Sequence, residues 1–117
     1  MELMKIDRPR NTKEEGLMEL FIFGEGDKFV GVNLTFDIVE EGNDPIILME
    51  SIKEASMLHL DCVIENNMPD DLLNRYAPTE YWTKYLGVLK RIEQNKTTVD
   101  SYFQRSPYQR RQAVAMA

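Results

Sequence analysis

Only one cysteine, Cys62, stands among the 117 residues, so no internal disulfide can form and no cysteine-based zinc site can be built. There is one histidine, His59, without a serine or cysteine partner at the spacing of a nucleophilic motif. No run approaches the 18 apolar residues of a membrane-spanning helix. Residues 1–15 lack the apolar centre of a secretory signal, which makes a cytoplasmic protein the expectation. Bases are outnumbered, 14 Lys and Arg against 20 Asp and Glu, for a net charge of −6. That balance argues against broad binding of nucleic acid or anionic membrane, because phosphate contacts need clustered Lys and Arg. Gly24-Glu25-Gly26 lacks both the glycine spacing and the following helix of a phosphate-binding loop. No internal repeat and no low-complexity tract is present.

What remains is one domain's worth of chain. Apolar residues make up 43% and aromatics 9%, enough for one modest core. The charge is distributed unevenly. Residues 1–15 balance four acids with four bases around Pro9 and read as a mobile N-terminal arm. Residues 16–95, the expected single domain, hold fifteen acids and six bases. Residues 96–117 hold Lys96, Arg105, Arg110 and Arg111 against Asp100 and read as a weakly basic, flexible tail, in which 99–103 has room for a short helix before Pro107.

Leu17 to Phe23 is short, apolar and aromatic, and ends at Gly24, so it reads as a strand. The glycines of 24–28 suit a hairpin loop. Phe29 to Glu40 has strand composition but is long for one strand, and the polar pair Asn33 and Thr35 marks a bend dividing it into strands at 29–34 and 36–40. A register change at the bend would bring Val30, Val32, Leu34, Phe36 and Ile38 to one core. Asp44 is a good N-cap and Pro45 suits the first helical position. A helix over 45–66 follows, with Leu48, Met49, Ile52, Ala55, Ser56, His59, Leu60 and Val63 at spacings of three and four. Glu50, Lys53, Glu54 and Asp61 mark its wet side. Met57, Leu58 and Ile64 lie off the stripe and suggest a second contact surface, met by the downstream helix or by a partner. A second helix is expected over 78–94, with Trp82, Tyr85, Leu86, Leu89 and Ile92 as its stripe and Tyr81 and Val88 beside them.

Phe29-Val30-Gly31-Val32-Asn33-Leu34-Thr35-Phe36-Asp37-Ile38-Val39-Glu40-Glu41-Gly42-Asn43-Asp44-Pro45, followed by Leu48-Met49, Ile52, Ala55 and Leu60, resembles the HicB-like antitoxin family. The resemblance covers about residues 17–66. Leu72-Leu73-Asn74-Arg75-Tyr76-Ala77-Pro78-Thr79-Glu80-Tyr81-Trp82 is similar to a segment of short, orphan members. The resemblance implies an α+β fold: a three-stranded antiparallel sheet (17–23, 29–34, 36–40) with the 45–66 helix across one face, and room for a further short strand. It also implies a non-enzymatic module that neutralises a small, basic, RNA-cleaving toxin by covering its active face. Two departures stand out. The bend reads Asn33-Leu34-Thr35-Phe36 where the family carries Pro and Gly. Residues 67–117 contain neither a ribbon-helix-helix nor a helix-turn-helix pattern, so DNA binding does not carry over.

The acidic surface reads either as a solubility device or as a neutralising face for a basic partner. On the second reading Glu40, Glu41, Glu50, Glu54 and Asp61 are the partner-binding candidates. The alternative function is a homo-oligomeric structural or regulatory module, dimer or higher, without a toxin, in which Met57, Leu58, Tyr81 and Trp82 line a self-association seam. A small enzyme is disfavoured because no acid–base constellation appears. His59 reads as a hydrogen-bonded core histidine rather than a catalytic one. Cys62 reads as a small buried hydrophobe. Asp70 and Asp71, with Glu65 nearby, read as an N-cap pair rather than a metal site. The aromatics at 81, 82 and 85 read as core or oligomer seam, since Lys84, Lys90 and Arg91 are too few bases for a base-stacking platform. No cofactor or metal is implied.

Overall fold

β1 (Glu15–Glu25) is apolar on both faces, because both faces are covered. In the computed structural model, which describes residues 10–93 and 101–109, it is an inner strand of a four-stranded antiparallel sheet. β2 (Lys28–Asn33), β3 (Ile38–Gly42) and β4 (Ser101–Gln109) complete the order β3-β2-β1-β4. Between β3 and β4 the chain forms α1 (Pro45–Glu65), a single 3-10 turn (Asp70–Leu73) and α2 (Thr79–Glu93). The α+β class and the antiparallel sheet agree with expectation, but the sheet has four strands rather than three. The fourth comes from the stretch read as a flexible tail with a short helix over 99–103: residues 101–109 pair along β1 from Phe23 to Glu15. Residues 1–9, 94–100 and 110–117, which hold the rest of the arm and tail and the last residue of the expected second helix, lie outside the described residues.

The β1–β2 hairpin closes at Glu25 and Lys28 around Gly26-Asp27. Gly26, at φ +69°, occupies the first loop position, where a type II′ turn needs a positive φ. At the other end of β2, Asn33 builds the bend. Its buried Oδ1 accepts from Thr35 N (3.0 Å), Thr35 Oγ1 (3.0 Å) and Phe36 N (2.9 Å), and its Nδ2 donates to Ser56 Oγ (2.8 Å). The turn includes Phe36 and Asp37, so β3 begins at Ile38, not at 36. The bend also divides the apolar set. Val30, Val32 and Leu34 join the cluster under α2, whereas Phe36 and Ile38 join the cluster under α1. The two sets therefore do not meet in one core.

α1 begins as its residues dictate. Asp44 Oδ1 accepts from Ile46 N (2.9 Å) and Ile47 N (3.2 Å), with Pro45 in the first turn. Leu48, Ile52, Ser56, Leu60 and Val63 are buried against the sheet. Each large apolar group among them contributes about 1.5–3 kcal/mol of burial. Gly31 lets the helix approach: a Cβ there would lie 2.8 Å from Ile22 Cδ1 and 3.1 Å from Leu48 Cγ. α2 covers the opposite face, where Trp82, Tyr85 and Val88 pack on Phe21, Phe23, Val30 and Val32. Its inward stripe differs from expectation, because Leu86 and Ile92 are exposed and Val88 is buried. The sheet thus lies between two helical layers. Asn11, fully buried, ties the chain ahead of β1 to the turn after α1 by donating from Nδ2 to Leu73 O (3.0 Å) and accepting at Oδ1 from Leu17 N (2.8 Å).

Candidate functional site

At 100° per residue, the buried stripe of α1 fixes which side chains crown its outer surface. Glu50, Glu54, Asp61 and Glu65 fall within a narrow arc opposite the sheet, and all four are exposed. Ile46 (69% exposed) and Met57 flank that crest on one side, and Ile47 and Leu58 (66%) on the other. Lys53 is the only base on the helix. Glu50 and Glu54, and Asp61 and Glu65, are like-charge neighbours one turn apart, an arrangement that costs an isolated helix about 0.2–0.5 kcal/mol per pair. The surface is a row of carboxylates between two apolar pairs, held on a helix whose inner face is locked into the core.

Glu40 and Glu41 are placed differently from each other and from this crest. Glu40 accepts from Ser51 Oγ at 2.6 Å and so ties β3 to α1. Side chains alternate along β3, so Glu41 stands on the α2 side of the sheet, where it pairs with Lys28 at 3.0 Å. That hydrogen bond and the carboxylate's charge raise the Lys28 ammonium above its ordinary pKa. A shallow cavity of about 340 Å³ at the base of α1 is lined by Glu40, Glu41, Asp44 and Ile47 among others. Glu50, Glu54 and Asp61 therefore share one face, Glu40 borders it, and Glu41 does not belong to it.

The four seam residues do not assemble. Met57 and Leu58 are exposed on α1, but Trp82 is 1% exposed inside the opposite layer, where it packs against Tyr85 and Tyr76. Tyr81 is half-buried against Phe23 on that side. Neither can join Met57 and Leu58 through the sheet, and α2 does not cover those two residues. Cys62 is exposed rather than buried, because its position lies about 100° off the inward stripe of the helix. His59 Nε2 lies 2.7 Å from Leu72 O and its ring 5.0 Å from that of Phe36. A carbonyl only accepts, so Nε2 carries the proton, and the imidazole joins α1 to the following turn. Asp70 caps nothing through its side chain. Its Oδ1 instead meets Lys13 N and Lys13 Nζ, each at 3.1 Å.

No family model, curated protein or solved structure matches this chain. The functional reading of the surface therefore rests on its own residues. Among the described residues no group of three or more His, Cys, Asp and Glu side chains is placed to hold a metal ion, and no helix is long and apolar enough to cross a membrane.

One polar cluster was not legible beforehand. Glu19 on β1 is 4% exposed, and its Oε2 accepts from Tyr85 Oη and Arg105 Nε, both at 3.1 Å. Burial, then the Glu19 charge and hydrogen bond, push the Tyr85 phenol well above its usual range. The partners lie 66 and 86 residues away in sequence, and only the polar Glu19 in an apolar run hinted at them. Both bonds are inward and structural, linking α2 and β4 to the centre of the sheet.

Proposed function

We propose that this chain is a HicB-like, antitoxin-type binding module that neutralises a small, basic, RNA-cleaving toxin by occlusion. One observation supports the reading above the others: the exposed crest of Glu50, Glu54 and Asp61 between Ile46/Met57 and Ile47/Leu58. A basic RNA-binding surface would find carboxylates where it otherwise holds phosphates. The flanking isoleucines, Met57 and Leu58 would supply the apolar contact that a charge-only encounter lacks. Complementary charge speeds the encounter and sets its orientation. No catalytic step by this chain is part of the reading, and a cytoplasmic setting goes with it.

The test is capture of the product of the adjacent reading frame by full-length protein. Glu50→Lys, Glu54→Lys and Asp61→Lys together should weaken capture by roughly 100-fold, the equivalent of about 1 kcal/mol per charge contact. Far-UV circular dichroism should stay unchanged, since all three side chains face solvent. Unchanged capture by a folded triple variant rejects the placement. The alternative reading, a homo-oligomeric module without a toxin, loses the seam of Met57, Leu58, Tyr81 and Trp82 and needs a different surface.

A further inference from the structure

The order β3-β2-β1-β4 leaves two sheet edges among the described residues, and they are guarded unequally. β3 is five residues long and carries Glu40 and Glu41. Short, charged edges resist pairing. β4 runs for nine residues with a single charged side chain, Arg105. Tyr102 and Phe103 are 40% and 36% exposed and stand on opposite faces of the sheet.

The direction of the β4 backbone follows from the ladder. Leu34 N donates to Glu19 O at 2.9 Å, so odd-numbered residues of β1 turn their backbone groups toward β2. Even-numbered residues of β1 turn toward β4, where Leu20 lies opposite Gln104 and Ile22 opposite Tyr102. The even residues of β4 therefore bond β1, and Phe103 and Arg105 present N–H and C=O outward. Pro107 falls in the outward set, where its missing N–H takes nothing from the ladder with β1 and guards only that end of the edge.

We propose that β4 is a self-pairing edge: two copies of this chain join β4 to β4, antiparallel, about a two-fold axis at Gln104, and make one continuous sheet. In this register Phe103 lies opposite the partner's Arg105. Both turn outward, so each such pair exchanges both backbone hydrogen bonds. The ring and guanidinium are then neighbours on one face, a cation–π arrangement. Arg105 is held by Glu19 through Nε and its side chain is 56% exposed, which leaves the rest of the guanidinium free to turn outward. Tyr102 lies opposite the partner's Ser106. A register centred on Arg105 sets like charges directly opposite, and one centred on Phe103 shortens the ladder. The same strand serves both copies, so the contact closes on itself instead of propagating.

Light scattering behind gel filtration, on the full chain, tests this. The wild-type mass is expected at twice 13.7 kDa. Gln104 bonds Ser106 in its own strand at 2.9 Å, so Gln104→Lys and Gln104→Glu should each fold yet fall to 13.7 kDa, because each sets like charges face to face. Mixing the two variants should restore the doubled mass. A second readout needs no variant: the Phe103 and Arg105 amides should be protected from hydrogen exchange alongside those of Tyr102 and Gln104. A wild-type chain that stays at 13.7 kDa across the accessible concentration range overturns the proposal. So does a doubled mass that two folded variants leave unchanged, a mixture that does not re-pair, or exchange at solvent rates at Phe103 and Arg105.

Discussion

The carboxamide of Asn33 is buried at the point where β2 gives way to the bend, and it satisfies Thr35 N, Thr35 Oγ1, Phe36 N and Ser56 Oγ together. Asn33→Ala would strand those groups inside the protein. The expected loss is about 1–3 kcal/mol, read as a lower urea midpoint. Two tyrosines carry a second residue-scale prediction. Burial raises the phenols of Tyr85 and Tyr108, helped by the charges of Glu19 and Asp70 respectively. A raised folded-state pKa means that the neutral form is favoured in the native protein. The stability these two groups contribute is fully present below their ordinary value of 10.0 and is lost as pH rises beyond it, because the unfolded chain then ionises more readily. Denaturation midpoints should fall above pH 10, and Tyr85→Phe should flatten that fall.

At the scale of elements, β4 is fastened by its ladder to β1 and by side chains to α2, to the segment ahead of β1 and to β1 itself. Phe103 meets Tyr85 edge-on at 6.0 Å, and Tyr108 donates to Thr12 O at 2.8 Å. Arg105 adds a bond to the buried Glu19 carboxylate. Arg105→Ala leaves that carboxylate with Tyr85, and because Arg105 is more than half exposed the cost is discounted to about 1 kcal/mol. The amides of Tyr102, Gln104 and Ser106 should then exchange about fivefold faster, while those of β2 change less. Combining Arg105→Ala with Glu19→Gln should cost less than the sum of the two, since the buried charge is gone.

At the scale of the whole molecule, one sheet separates two apolar clusters, and β1 contributes to both: Met18 and Leu20 to one, Phe21 and Phe23 to the other. Neither layer can leave without exposing the strand the other needs. Trp82, the single tryptophan, reports on the α2 side, whereas circular dichroism is dominated by the longer α1. The two signals should unfold with one midpoint. Ile52→Ala, wholly on the α1 side, should lower the Trp82 fluorescence midpoint by the equivalent of about 2–4 kcal/mol. A shift seen in circular dichroism alone would show that the layers are independent.

Local regularities were legible in the chain itself. Asp44-Pro45 opens α1, the three-and-four spacing of Leu48, Ile52, Leu60 and Val63 names its inner face, and Asn33 with Thr35 marks the bend. The outward direction of Glu50, Glu54 and Asp61 follows from the same period, because helix geometry depends only on neighbours a few residues away. The tertiary structure decided what depends on distant partners. Ser101 to Gln109 has no strand signature of its own; it is a strand because β1 leaves an edge free, and Glu19 and Gly16 receive Arg105 and Tyr108 there. Which layer takes Trp82 and which face Glu41 joins were likewise settled by how the elements stack. Sequence spacing sets the angle of a side chain on its own element, whereas what covers that side chain is chosen by packing across the whole fold.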